Sequence, residues 1–115
     1  MTEVKVSVGG SLEDDAAAFV DAWHRTEQGE AVHERVLAFE SWEGLAKVMT
    51  GERYRLLRHV HRHPEPSVSA LARALGRQYR RVHADVAALE QAGLLERAGG
   101  TVHATADTIR ADIRL

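Results

Sequence analysis

A chain of 115 residues, 44% of them hydrophobic, suits one compact domain with an appended subdomain and is too apolar for disorder to be the default. The absence of cysteine excludes disulfides, thiolate metal sites and cysteine nucleophiles, and no apolar run approaches the ~18 residues of a membrane span. The net charge of -2 conceals an uneven split. Residues 1–50 hold 4 basic and 10 acidic side chains, whereas residues 51–97 hold 9 basic against 5 acidic and add His59, His61, His63 and His83. That division predicts separate tasks, with the basic part meeting a polyanion. The opening MTEVKVSVGG lacks the basic start and apolar core of a signal peptide, so a cytoplasmic location without membrane contact is expected.

Val4, Val6 and Val8 alternate with Lys5 and Ser7, which predicts a short strand ending at Gly9-Gly10. Ser11 is a natural N-cap, Glu13, Asp14 and Asp15 suit a first helical turn, and Ala16, Phe19, Val20 and Trp23 recur at helical spacing up to Gly29. Arg35–Phe39 reads as a second strand. Ser41 can cap a short helix over Trp42–Met49, with Trp42, Leu45, Ala46 and Met49 on one side. These strands are too few for an independent sheet, so they are expected to pair with C-terminal strands or with a second subunit.

Thr50-Gly51 marks a joint. Tyr54, Leu57, Val60 and His61 are expected on the inner face of the next helix, which Pro64 and Pro66 end by withholding a backbone donor. Ser67 or Ser69 opens a helix through Val68, Leu71, Ala72 and Leu75, and Gly76 supplies a tight turn. A longer helix, about residues 77–92, buries Val82, Val86 and Leu89 and closes at Gly93. Leu94–Arg97, Ala98-Gly99-Gly100 and Thr101–Thr105 then read as strand, glycine turn and strand. Alternation of Ile109, Ala111, Ile113 and Leu115 with charged residues predicts one more strand.

The order helix, short helix, glycine turn, long helix and hairpin, carried by Ser69–Gly76, Val82, Val86, Leu89–Leu95 and Gly99-Gly100, resembles the winged helix-turn-helix of MarR-like and ArsR-like regulators. The resemblance covers roughly residues 51–105. The whole chain is also similar to a group of short regulators with a strand-helix-strand lead-in, the segment GRQYRRVHADVAALEQAGLLE carrying most of that likeness. Some members of that group are thought to be antitoxins, which would imply a cognate toxin protein as partner. The fold class expected is therefore α+β: a winged helix-turn-helix over residues 51–115 with an N-terminal strand-helix-strand extension over residues 1–50, which serves dimerisation or partner binding.

If Val82, Val86 and Leu89 are buried, Gln78, Arg80, Arg81, His83 and Ala84 fall on the exposed N-terminal side of the long helix, where a recognition helix enters the major groove. Arg77 and Tyr79 stand at the start of that helix, where the peptide dipole favours an anion, and Tyr79 is balanced between packing under the turn and reaching a phosphate. Ser67 and Ser69 open the preceding helix, a usual place for phosphate contacts. Arg97 is the cation next to the hairpin tip; Gly99-Gly100 itself carries none, a departure from many winged helices. The reading is a homodimeric repressor of double-stranded DNA, its two recognition helices about one helical turn apart. An antitoxin or other protein-interaction module is the alternative.

Other patterns carry less. His59 and His63 share a helical face while His61 points elsewhere; with no cysteine and no third ligand no metal is expected, and His61 is the one expected to be half-buried. Phe19, Trp23, Phe39 and Trp42 suit a core or dimer interface better than a ligand cage. No phosphate loop, nucleophile elbow or Ser/His/Asp set is present in the sequence, so neither enzyme activity nor a cofactor is expected.

Overall fold

The computed structural model describes residues 2–9 and 33–115. Among these residues the chain is α+β, with four helices and five strands. In chain order they are β1 (Thr2–Val8), β2 (His33–Phe39), α1 (Trp42–Val48), α2 (Gly51–Arg62), α3 (Val68–Leu75), α4 (Tyr79–Gln91), β3 (Leu95–Ala98), β4 (Thr101–Ala104) and β5 (Thr108–Ile113). They form two compact units, one of Met1–Lys47 with Ala106–Leu115 and one of Val48–Thr105. The helix expected over residues 11–29, with Phe19 and Trp23, lies outside the described residues.

The first unit is built on a parallel sheet in the order β2-β1-β5. The alternating valines make β1 its centre: Val4, Val6 and Val8 are almost wholly buried, each contributing roughly 1.5–3 kcal/mol of apolar burial. Beside them in register stand Arg35, Leu37 and Phe39 on one flank and Ile109, Ala111 and Ile113 on the other. The last strand therefore belongs with the first unit, although the sequence assigned residues 51–115 to a single domain. Its alternating pattern predicts a strand; it does not say which strand will pair with it. Ser41 caps α1 as expected, its Oγ accepting from Gly44 N–H at 3.2 Å. That helix buries no side chain, however, and Trp42 is mostly exposed rather than part of a core in the single chain.

The second unit packs α2, α3 and α4 around Leu56, Val60, Leu71, Val82, Val86, Leu89, Leu95 and Val102, all essentially inaccessible. Thr50 Oγ1 accepts from Arg53 N–H at 3.2 Å and starts α2, which ends at Arg62 before the Pro64-Glu65-Pro66 segment. The inner face of α2 is Leu56, Leu57 and Val60, one position out of phase with the expected Tyr54-to-His61 stripe. Tyr54 and His61 are exposed. Leu56 brings a wholly apolar side chain to the core, while the Tyr54 ring stays in solvent under the Arg58 guanidinium, 5.7 Å from its centroid.

Ser67, not Ser69, caps α3, accepting from Ala70 N–H at 3.0 Å. Gly76 then reverses the chain at φ 65°, with its N–H on Arg73 O and Arg77 N–H on Ala72 O. A Cβ at Gly76 would meet nothing within 4 Å, so only the left-handed backbone resists substitution. Gly76→Ala is expected to cost about 1 kcal/mol in urea unfolding, and Gly76→Asn less. Gly99-Gly100, at φ 60° and 90°, closes the β3–β4 hairpin as a two-residue turn of the kind that matches strand twist. Glu65 bridges Val102 through both backbone bonds, 3.1 and 2.7 Å, adding a short third rung to the hairpin.

Candidate nucleic-acid interface

α3, the Gly76 turn and α4 place the basic residues of the second unit in two distinct settings. On α4, Val82, Val86 and Leu89 are buried. At ~100° per residue the opposite pole of the helix consists of Arg80, Ala84, Ala87 and Gln91, all exposed. Arg81 and His83 flank this pole on either side. Among the described residues neither Arg80 nor Arg81 has an ion-pair partner, so both guanidinium groups stand in solvent. The two alanines leave the middle of the pole low, so the helix backbone can come close to a partner surface.

Gln78 is the N-cap residue of α4, but its side chain makes no capping hydrogen bond and is exposed. Tyr79 is half-exposed, its ring 5.7 Å from that of His83, so it reaches outward rather than packing beneath the turn. Ser69, Ala72, Arg73, Gly76, Arg77 and Tyr79 line an open groove of about 350 Å³. Arg73 was not singled out from the sequence. Its signal was its position four residues after Ser69, which sets both on one exposed face of α3.

Other expected contact residues are already engaged within the protein. Arg77 Nη2 donates to Asp85 Oδ2 at 2.8 Å, and its Nε lies 3.4 Å from Glu52 Oε2. Arg53 Nε donates to the other Asp85 oxygen at 3.0 Å, and its Nη1 donates to Val48 O. Asp85 therefore joins α2, the turn and α4 through two arginines whose side chains are about four-fifths buried. Arg77 thus anchors the helix instead of standing free at its start, and Ser67 Oγ is occupied by its own cap. Arg97 donates to both carboxylate oxygens of Glu90, Nε to Oε2 at 3.2 Å and Nη2 to Oε1 at 2.8 Å. This hydrogen bonding holds the Glu90 carboxyl below its ordinary range and the Arg97 guanidinium above its own. With Arg97 drawn back onto α4 and His103 3.6 Å from Glu96, the hairpin tip offers backbone rather than charge.

His59 Nε2 lies 2.7 Å from Glu65 Oε1, joining α2 to the proline segment; His61, expected half-buried, is exposed. Among the described residues no three His, Asp or Glu side chains converge as a metal site requires, and no helix is long and apolar enough to cross a membrane. On the outer pole of α2, Arg55, Arg58 and Arg62 fall within about 60° of one another, opposite Leu56, Leu57 and Val60.

No curated protein and no solved structure matches the chain. A family model described as HVO_A0114 matches residues 48–111, more than half of the chain and the whole of the second unit. The chain therefore belongs to the HVO_A0114 family.

Proposed function

We propose that the second unit is a winged helix-turn-helix that binds double-stranded DNA, with α4 as the recognition helix in the major groove, in a homodimeric transcriptional repressor. The observation that carries this reading is the outer pole of α4. Arg80, without an ion-pair partner among the described residues, and a low alanine floor form that pole. Arg81 flanks it, and the exposed N-cap residue Gln78 stands at its N-terminal end with its side chain making no capping bond. Arginine reads guanine and glutamine reads adenine through paired hydrogen bonds, and a helix carrying both at its N-terminal end suits groove entry. Ser69, Arg73 and Tyr79, around the groove beside it, are placed to hold a backbone phosphate. The Asp85 clasp fixes the tilt at which α4 is presented.

Fluorescence anisotropy against random duplex and the gene's own upstream DNA, over a salt series, tests the reading. Arg80→Ala/Arg81→Ala is expected to weaken binding about 100-fold, each base contact being worth roughly 1–3 kcal/mol. It is also expected to flatten the salt dependence. No binding by the unaltered protein at low salt would overturn the proposal.

The arginine pole of α2 favours a second reading, in which the protein also engages an acidic partner protein, as an antitoxin engages its toxin. Stoichiometric co-purification with the product of an adjacent gene, lost in Arg58→Glu/Arg62→Glu but kept in Arg80→Ala/Arg81→Ala, would support it.

A further inference from the structure

We infer that β5 is the seam of the dimer: its open edge pairs with β5 of a second copy, antiparallel and centred on Ala111. The inference specifies how the homodimer proposed above is assembled and does not depend on DNA binding. β5 is an edge strand, bonded to β1 on one side, with no strand beside its other edge among the described residues. Arg114 N–H donates to Val8 O at 3.0 Å, so the amides of alternate residues, Arg114, Asp112 and Arg110, turn toward β1. Those of Ile109, Ala111 and Ile113 turn toward the open edge. A sheet edge is a template for another strand.

The side chains select one register. Two copies related by a two-fold axis pair antiparallel, and matching the outward amides requires a residue, not a peptide bond, at the centre. Centred on Ala111, each Arg110 lies opposite Asp112 of the second copy, and each Ile109 opposite its Ile113. Both isoleucines are about two-fifths exposed and lie on the face of the buried valines, so this pairing covers apolar surface left open in the single chain. Arg110 is exposed enough to reach across, its Nε being 3.5 Å from Glu3 within its own chain. The neighbouring allowed registers are excluded by charge. A centre at Arg110 stacks arginine on arginine, and one at Asp112 stacks aspartate on aspartate and Arg110 on Arg114. The opposite edge of the sheet has no such self-complementarity: β2 centred on Val36 sets Arg35 against Leu37, and centred on Leu37 sets it against Phe39.

The chain contains no native cysteine, so Ala111→Cys gives a clean probe. Across the axis the two Cα atoms would lie about 5.5 Å apart, within disulfide or short bis-maleimide reach. Ala111→Cys is expected to give a covalent dimer, and Ser41→Cys, exposed elsewhere, is not. In sedimentation over a concentration series, Asp112→Arg should weaken dimerisation roughly tenfold or more by facing Arg110 with another arginine. Arg110→Asp/Asp112→Arg should restore it, since the pair is merely exchanged. Far-UV circular dichroism checks that each variant is folded. A wild-type protein monomeric at every concentration would overturn the inference. So would a dimer that is indifferent to Asp112→Arg and uncrosslinked at position 111. Arg80→Ala/Arg81→Ala should remain dimeric, which separates failure of this seam from failure of the DNA reading.

Discussion

Replacing Ala84 with glutamate is expected to weaken duplex binding more than about 100-fold while lowering the melting temperature of the protein by no more than about 3 °C. Ala84 sits at the middle of the exposed pole of α4, opposite Val82, Val86 and Leu89, and touches none of the core. Glutamate is nearly as good a helix former as alanine, so the fold loses only a few tenths of a kcal/mol. At the proposed interface the change acts twice. It sets a carboxylate against the phosphate-lined groove, and it stands three and four residues after Arg81 and Arg80, close enough to neutralise them. Opposed like charges at an interface cost several kcal/mol; about 3 kcal/mol corresponds to a loss of more than 100-fold in affinity. Ala84→Gln, with the same length and no charge, should retain most of the binding. Anisotropy and thermal melts on the three proteins decide the matter, and wild-type affinity in Ala84→Glu would show that this pole does not face DNA.

The neighbouring residue is expected to behave in the opposite way. Asp85→Ala removes the carboxylate shared by Arg53 and Arg77 and leaves two mostly buried guanidinium groups without their main acceptor. Removing one partner of a fully buried pair costs about 3–5 kcal/mol. The side chains here retain 14–20% exposure, and water reaches them, so about 2–4 kcal/mol is expected. The unit would melt at least about 10 °C lower, as a domain of this size shifts roughly 4–8 °C per kcal/mol. Asp85→Asn keeps one acceptor oxygen and should fall between. A loss below about 1 kcal/mol in urea unfolding would mean that Glu52 and water satisfy the arginines, and that the clasp does not fix α4. Two adjacent residues on one helix would thus separate the proposed recognition from stability.

The limits of the second unit's elements were legible from local chemistry. Thr50 and Ser67 each supply a hydroxyl to an otherwise unpaired helix N-terminus, Pro64 and Pro66 withhold a donor, and Gly76, Gly99 and Gly100 take positive φ. Each effect acts within four residues and is the same in any fold. The buried stripe of α4 was equally plain, because three apolar residues at helical spacing leave one rotation of the helix. Where local patterns competed the sequence misled: in α2 the Tyr54-to-His61 phase lost to Leu56, since an aromatic ring that ends in a hydroxyl is tolerated in solvent beside Arg58.

The tertiary structure decided how the charges are allotted and which strands meet. Arg77, Arg80, Arg81 and Arg97 are chemically identical in the sequence. Only folding brings Asp85 to Arg77 and Glu90 to Arg97, leaving Arg80 and Arg81 without ion-pair partners among the described residues. β5 likewise announces a strand by its alternation, yet its place beside β1, about a hundred residues earlier, depends on a long-range pairing that no local pattern encodes. Caps, turns and amphipathic stripes are short-range and readable from composition in order. Ion pairs between elements and the order of strands in a sheet are set by the whole chain's packing.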